Sequence, residues 1–326
     1  MTLAQAEPRP TTDDPRIVAP LAFLEGRVPE APGWFARAVA AAPDRRFVPV
    51  RGARIETLSW GEAGRPGLLF LHGNGAHADW YSFIAPFFAG RYNVASLSWS
   101  GMGGSDWRDT YSYEVFVDEA FEVMRALGML DGVPPVVVGH SFGGQITLRL
   151  AAALGEHLAA AVVVDPPVFS PHKLRERRPP RLEGRTHRVH ADLAAALARF
   201  RLQPLQPCDN LFILDHIARL SLRKVHGEDG APGWSWRFDP SLWSKLGYSD
   251  PSPVIREAKC PLALVRGGIS RLMRPDDAEH MTGLMPEGAP YLEVPEANHH
   301  VMLDQPLAFV AAIESLLAAW PPAVRR

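Results

Sequence analysis

The stretch that decides the fold is Val136-Val137-Val138-Gly139-His140-Ser141-Phe142-Gly143-Gly144, which continues into the mainly apolar segment 145–154. The three valines predict a buried strand, and segment 145–154 predicts an amphipathic helix. The serine between them has small neighbours at the spacing G-x-S-x-G. A sharp strand-to-helix turn requires this spacing, because larger side chains clash where the backbone folds back. We interpret the stretch as a nucleophile elbow, which holds the Ser141 hydroxyl out at the top of a sheet.

Three further motifs accompany the elbow in a fixed order along the chain. The apolar run 68–71 ends in His72-Gly73-Asn74-Gly75, and Gly101-Met102-Gly103-Gly104-Ser105-Asp106 follows the next strand-like run. Asn298-His299 comes near the C-terminus, after a final strand-like segment. Together the four motifs resemble those of the α/β-hydrolase superfamily, in that family's order, from about residue 47 to the end of the chain.

Composition indicates an ordinary globular protein. The chain has 326 residues, of which 47% are hydrophobic and 21% charged, with a formal net charge of -2. This balance argues against disorder and against a polyanion-binding surface, so no nucleic-acid partner is expected. The length suits one large domain or a domain that carries an insertion.

Neither metal, cofactor nor membrane is expected from the sequence. Cys208 and Cys260 form no C-x-x-C pair and lie near no histidine at metal-ligand spacing. Segment 1–16 has no apolar region of the kind a secretion signal requires, and no run approaches the roughly 20 apolar residues of a membrane span. We therefore predict a cytoplasmic protein whose partner is a small hydrophobic substrate.

The chain is predicted to have three parts. Repeated prolines make residues 1–32 an extended arm, which either packs on a partner subunit in a homodimer or is loose. Residues 33–167 and 253–326 alternate strands with amphipathic helices, which demands a mostly parallel sheet with helices on both faces. The alternation lapses over residues 168–252.

The family resemblance completes this fold. It implies an α/β-hydrolase fold with a mostly parallel eight-stranded sheet, and a helical cap inserted after strand 6 at residues 168–252. Aromatic residues of that segment either line a pocket or form the small core of the cap itself. The predicted strands are 47–50, 55–60, 68–71, 94–97, 136–138, 161–164, 262–265 and 291–294; the predicted helices include 34–42, 115–127, 191–200, 211–223 and 307–319.

A serine hydroxyl is a weak nucleophile until a base takes its proton, so the elbow needs a histidine. In the family this histidine stands seven residues before a helix-starting proline, and here that proline is Pro306. The resemblance therefore implies that His299 is the base. His300 is predicted to line the pocket or to pair with the cap.

The acidic partner departs from the commonest family pattern. Many relatives carry it after the seventh strand, where this chain has Ser270 and Arg271 instead of a carboxylate. Asp277, slightly later, suits a helix cap better. Some family members place the acid after strand 6, where Asp165 follows three valines. We therefore predict a Ser141-His299-Asp165 triad and keep Asp277 as the alternative acid.

The resemblance also implies an oxyanion hole made of backbone N–H groups. Phe142 follows the nucleophile, and Asn74 lies in the loop where the family carries its second donor. Aromatic and apolar residues near these motifs are candidate pocket walls. The predicted substrate-binding residues are Trp80, Tyr81, Phe169, Trp234, His300 and Met302.

A serine nucleophile favours acyl transfer to water, so we predict a serine hydrolase acting on a carboxylic ester or lactone. The acid after strand 6 is also found in lactonases that act on the aromatic macrolactone zearalenone, which the chain resembles distantly. Three alternatives stay open: a carbon–carbon bond hydrolase of the meta-cleavage type, a cofactor-free dioxygenase, and a binding or receptor protein without turnover.

Overall fold

The fold is described from a computed structural model over residues 13–176, 188–227 and 230–320. The chain divides into two compact units. One unit consists of Met1–Glu30 and Val189–Ser235, and the other of Ala31–Arg188 and Trp236–Arg326. The predicted boundaries at residues 32, 167 and 252 remain predictions.

Strands account for the sheet of the larger unit and for a hairpin in the smaller one. In the described residues they are β1 (Asp44–Val50), β2 (Ala53–Trp60), β3 (Gly67–Leu71), β4 (Asn93–Leu97), β5 (Val136–His140), β6 (Ala160–Val164), β7 (Leu222–His226), β8 (Pro232–Trp236), β9 (Leu262–Gly267) and β10 (Tyr291–Val294).

The described residues form an eight-stranded sheet with the order β1-β2-β4-β3-β5-β6-β9-β10. The pairs β1/β2 and β2/β4 are antiparallel, and every other pair is parallel. Strands β3 to β6 are buried throughout, as expected for a parallel sheet covered on both faces. The predicted α/β-hydrolase fold is confirmed.

Helices follow most of the sheet strands. Those in the described residues are α1 (Pro15–Val18), α2 (Gly33–Ala40), α3 (Tyr113–Ala126), α4 (Phe142–Leu154), α5 (Pro171–Glu176), α6 (Leu193–Leu197), α7 (Leu211–Leu220), α8 (Leu242–Leu246), α9 (Ser252–Ile255), α10 (Pro275–Thr282), α11 (Val301–Asp304) and α12 (Pro306–Ala319).

The smaller unit differs from the sequence expectation in several elements. The helix predicted over 211–223 ends at Leu220, and residues 222–226 form strand β7 beside β8. In β7 Leu222 is buried and Val225 is partly buried, whereas Arg223, Lys224 and His226 are exposed, so the sequence has no strict two-residue alternation that would predict a strand. The Gly227 N–H donates to the Ala231 carbonyl over 2.8 Å between the two strands. The described part of the predicted arm carries α1 and a 3-10 turn at Ala22–Leu24.

Glu56 on β2 holds the glycine-rich turn after β4 in the larger unit. Its buried carboxylate accepts hydrogen bonds from Ser98 Oγ at 2.8 Å and from the Gly104 N–H at 2.6 Å. Arg45 and Arg237 neutralise the carboxylate through ion pairs of 2.5 and 3.2 Å. A Cβ at Gly104 would lie 2.5 Å from Glu56 Oε1, so a larger residue in this turn would displace the Glu56 carboxylate.

The elbow glycines are required by close backbone approach. A Cβ at Gly139 would lie 2.1 Å from Thr147 Oγ1, and one at Gly143 would lie 2.3 Å from the Leu71 carbonyl oxygen. Helix α4 therefore starts directly against the ends of β3 and β5. The glycines of G-x-S-x-G are thus explained by contacts that the structure shows.

Gly143→Ala should lower the free energy of unfolding by about 3 kcal/mol, because the added methyl has no space and the backbone must shift. Gly132→Ala is the matched control, since a Cβ there meets nothing within 4 Å. The control should change stability by less than about 0.5 kcal/mol. Urea denaturation of both variants checks this, and equal stabilities would contradict the packing argument.

Candidate active site

The site lies at the carboxyl edge of the parallel sheet. Ser141 directly follows β5, and Asp165 directly follows the neighbouring strand β6. His299 comes from the loop after β10, two residues before α11. Because β5, β6, β9 and β10 run parallel, all three residues arrive at the same edge.

Ser141 sits in a strained backbone conformation. Its φ of 53° and ψ of -117° lie outside the regions that side chains favour, and Asp165 also has a positive φ of 45°. Such conformations cost about 1–3 kcal/mol each and persist where the surroundings enforce them. Here the Ser141 N–H donates to the Val164 carbonyl over 2.9 Å and the Asp165 N–H to that of Val265 over 2.8 Å, which ties both residues to neighbouring strands.

His299 connects the serine to the aspartate. Its Nε2 lies 2.9 Å from Ser141 Oγ, and its Nδ1 lies 2.8 Å from Asp165 Oδ1. A carboxylate only accepts hydrogen bonds, so Nδ1 carries a proton and Nε2 presents a lone pair to the serine hydroxyl. This tautomer is the one a general base needs.

Asp165 is fully buried and has two hydrogen-bond partners in addition to His299. Its Oδ1 also accepts from Ser270 Oγ at 2.7 Å, and its Oδ2 accepts from the Gly267 N–H at 3.0 Å. Ser270 occupies the position where many relatives carry the acid. In this chain it is a hydroxyl donor that fixes an acid placed on the neighbouring strand.

Asp277, the alternative acid, is bonded elsewhere. Its Oδ1 accepts from the Ser170 N–H at 2.9 Å, and its Oδ2 accepts from the Arg274 N–H at 3.2 Å and from Lys173 Nζ at 2.5 Å. It thereby caps helix α10 and forms an ion pair, and none of these bonds reaches His299. The geometry favours Asp165 as the acid.

The two proposed oxyanion residues flank the serine. Phe142 is the first residue of α4, and a first-turn N–H has no acceptor within its own helix. Asn74 follows Gly73, whose Cβ, if present, would lie 3.1 Å from Ser141 Cβ. The exposed Asn74 side chain accepts a hydrogen bond from Trp243 Nε1 at 2.6 Å. Trp243 is one of the aromatic residues of segment 168–252 that were expected either to line a pocket or to form the core of the cap, and no individual role at the site was predicted for it from the sequence.

Three buried imidazoles meet beside the serine. The ring centroids of His140, His299 and His300 lie 4.7 to 5.2 Å apart. His140 Nε2 donates to the His299 carbonyl over 3.0 Å, and burial, followed by the charge of His299, lowers the pKa of His140 well below its usual value. In the described residues these histidines could hold a metal ion, with ligand atoms within 4.8 Å of one another. Such an ion would compete for His299 with Ser141 and Asp165.

The other predicted pocket residues fall into different settings. Trp80 is buried beside His300 at 5.4 Å, and its indole N–H has no acceptor among the described residues. Tyr81 belongs to the core, where its hydroxyl donates to the Leu71 carbonyl over 3.2 Å. Phe169 packs near Lys173, Met302 is buried on α11, and Trp234 lies on β8 in the smaller unit, near Lys224. Their roles in binding stay predictions.

His72 supports the loop that carries Asn74. Its Nδ1 donates to the Gly73 carbonyl over 2.7 Å, and its Nε2 accepts from the Trp99 N–H at 3.2 Å. Both bonds require a neutral ring, and burial lowers the pKa of His72 to about 3 from its usual 6.5. The imidazole thus stays uncharged beneath the site.

The His72 pKa predicts a pH-dependent stability. Because the folded pKa is below the unfolded one, the unfolded chain binds more protons between pH 6.5 and 3, and the free energy of unfolding falls as the pH drops through that window. His72→Gln keeps an acceptor for Trp99 but does not titrate. As the pH drops, the free energy of unfolding of this variant should fall less steeply than that of the wild type. The two slopes should differ by up to about 1.4 kcal/mol per pH unit. Urea denaturation between pH 7 and 4.5 checks this, and equal slopes would contradict it.

Comparison with known proteins agrees with this architecture. Residues 68–313 match the family model of the "Alpha/beta hydrolase family", which spans more than half of the chain. The chain therefore belongs to the α/β-hydrolase family, and the predicted family membership is confirmed. No helix in the described residues is long and apolar enough to cross a membrane.

Several relatives align with this chain. The esterase Rv0045c of Mycobacterium tuberculosis is 26% identical over 285 residues, which cover 82% of this chain and 88% of that protein. A serine hydrolase-like protein of Danio rerio is 23% identical over 84% of this chain and 88% of its own length. Epoxide hydrolase 4 of Mus musculus is 29% identical over 38% of this chain, and the match spans only 35% of that protein.

Solved structures share the fold. E-2-(acetamidomethylene)succinate hydrolase superposes with a TM-score of 0.70 at 21% identity, over 85% of this chain and 99% of its own. The Mycobacterium tuberculosis esterase has a TM-score of 0.65 at 23% identity, over 89% of this chain and 100% of its own. At these identities the likeness concerns the fold alone.

Proposed function

We propose that the protein hydrolyses carboxylic esters through Ser141, His299 and Asp165. The observation that carries the proposal is the continuous hydrogen-bonded chain from Ser141 Oγ through both ring nitrogens of His299 to Asp165. A nucleophile, a base and an orienting acid within hydrogen-bond reach are the arrangement that acyl transfer needs.

The proposed reaction has two halves. His299 Nε2 takes the proton of Ser141 while Oγ forms a bond to the ester carbonyl carbon, and the proton then passes to the departing alcohol as the carbon–oxygen bond breaks. A water molecule, deprotonated by His299, next attacks the acyl-enzyme and releases the acid with Ser141 protonated again. Throughout the reaction, Asp165 accepts a hydrogen bond from the Nδ1–H group of His299 and stabilises the imidazolium when it forms.

The oxyanion is proposed to form between the N–H groups of Phe142 and Asn74. Donors that are already in place before the reaction lower the barrier, and one such donor is worth about 3–4 kcal/mol. The N-terminus of α4 adds the positive end of a helix dipole at the same position. These groups would supply the oxyanion stabilisation that acyl transfer requires.

An ester is favoured over the other substrates by the relatives. Two relatives align over most of both chains, and one is named an esterase and the other a serine hydrolase-like protein. The buried indole of Trp80 and the apolar Phe169 and Met302 suit a small hydrophobic acyl or aryl group. A lactone, such as an aromatic macrolactone, would be hydrolysed by the same steps, and it is the more specific substrate class within this proposal.

A substrate panel tests the proposal. p-Nitrophenyl esters of increasing acyl length and aryl lactones are offered to the enzyme, and product release is measured against a blank. Saturable release from at least one ester is expected. No release from any ester or lactone would contradict the proposed function, and release from lactones alone would restrict it to that class.

A further inference from the structure

Trp243 contacts both residues of the proposed oxyanion hole. Its indole Nε1 donates to Asn74 Oδ1 over 2.6 Å, and its ring meets that of Phe142 edge-on, with centroids 5.1 Å apart at 88°. Asn74 lies on the loop after β3, whereas Phe142 begins α4. One side chain, from the same compact unit, therefore bridges two separate backbone segments.

The position of Trp243 is itself fixed by the residues that precede it. The Asp239 N–H donates to the Gly101 carbonyl over 2.7 Å, and the Asp239 carboxylate accepts from the Tyr111 hydroxyl at 2.8 Å. Leu242, the first residue of α8, is 2% exposed. Because these anchors precede Trp243 by only one to four positions, they hold the start of α8, and with it the indole, beside Asn74 and Phe142.

The loop that carries Asn74 is held at Gly73 by His72, and Trp243 contacts the next residue. Asn74 is exposed, and Gly75 after it has a φ of 68°, a conformation that glycine adopts at little cost. An indole N–H only donates, so the carboxamide oxygen faces Trp243 and the amide N–H groups face away from it. The hydrogen bond thus restrains the Asn74 side chain, at the residue whose backbone N–H is the proposed donor.

We propose that Trp243 is a positioning residue that holds the two oxyanion donors in one arrangement before the substrate arrives. The inference rests on the proposed function and adds a third element, helix α8, to the catalytic site. Donors placed in advance lower the barrier to the chemical step. Loss of Trp243 should therefore lower kcat and leave KM nearly unchanged.

A double-mutant cycle tests whether Trp243 acts through Asn74. Trp243→Phe keeps the ring against Phe142 and removes the N–H, and Asn74→Ala removes the acceptor. Each single variant should lower kcat about tenfold, with KM within about twofold, and the double variant should be no slower than Asn74→Ala. Trp107→Phe, a change at an exposed tryptophan, is the matched control and should leave kcat unchanged.

Three results would overturn the inference: multiplied losses in the double variant, a raised KM with unchanged kcat, or no effect of Trp243→Phe. A second readout separates its failure from that of the proposed function. A fluorophosphonate forms a bond from Ser141 Oγ to phosphorus as fluoride leaves and His299 takes the proton. If no ester is hydrolysed but Trp243→Phe still slows this labelling about tenfold, ester hydrolysis fails and the inference stands. The inference is overturned if Trp243→Phe is labelled at the wild-type rate, or if neither protein is labelled.

Discussion

Ser141→Ala is expected to lower kcat for ester hydrolysis by about 10⁶-fold, because the attacking oxygen is lost and water must react without an acyl-enzyme. Alanine keeps the β-carbon, so the strained backbone at φ 53° and the bond from the Ser141 N–H to Val164 should survive. Substrate binding should change little. Steady-state kinetics on the best ester of the panel, with circular dichroism to verify folding, measures the effect.

Ser315→Ala provides the matched control, since its hydroxyl donates only to the Ala311 carbonyl on the exposed side of α12. The control should retain full activity. A folded Ser141→Ala enzyme with activity near that of the wild type would show that another residue is the nucleophile.

Asp165→Asn is expected to lower kcat by about 10⁴-fold. The carboxylate accepts from His299 and Ser270 on Oδ1 and from Gly267 on Oδ2, whereas an amide has one accepting oxygen. If the amide nitrogen faces His299, it donates to Nδ1 and forces the proton onto Nε2, which then cannot accept the proton of Ser141. If it faces Gly267, two donors oppose each other and the loop must shift.

Asp277→Asn separates the two candidate acids. This change removes the ion pair with Lys173 and weakens the cap of α10, so it should lower the melting temperature. At a temperature where the variant is folded, kcat should stay within about threefold of the wild type. A loss confined to Asp277→Asn, with Asp165→Asn active, would move the acid to Asp277.

The fold was largely predictable because several short motifs had to coexist in order. The valines before Gly139 and the glycines on both sides of Ser141 admit little but a buried strand, a tight turn and a helix. His299 was predicted to be the base because it stands seven residues before Pro306, as in the family. In the structure α4 begins directly after Ser141, and His299 Nε2 lies 2.9 Å from Ser141 Oγ.

The acid was harder to predict because its position depends on three-dimensional contacts. The sequence favoured Asp165, which follows three valines, over Asp277, which follows Pro275 as a helix cap would, but the bonds from His299 and Ser270 to Asp165 are visible only in the structure. The insertion was harder still, since the first two residues of strand β7 were expected to end a helix. The contacts of Trp243, which belongs to the aromatic residues of that insertion, could not be predicted because Asn74 and Phe142 lie about 100 or more positions away in the chain.

Covalent capture of the acyl-enzyme tests the central claim most directly. The intact protein is mixed briefly with a p-nitrophenyl ester, quenched in acid and weighed by mass spectrometry, and the site of any adduct is mapped by peptide fragmentation. The account predicts an added acyl mass on Ser141 that is absent from Ser141→Ala. An adduct on a different residue, or ester turnover with no acyl-enzyme under any quench time, would contradict it.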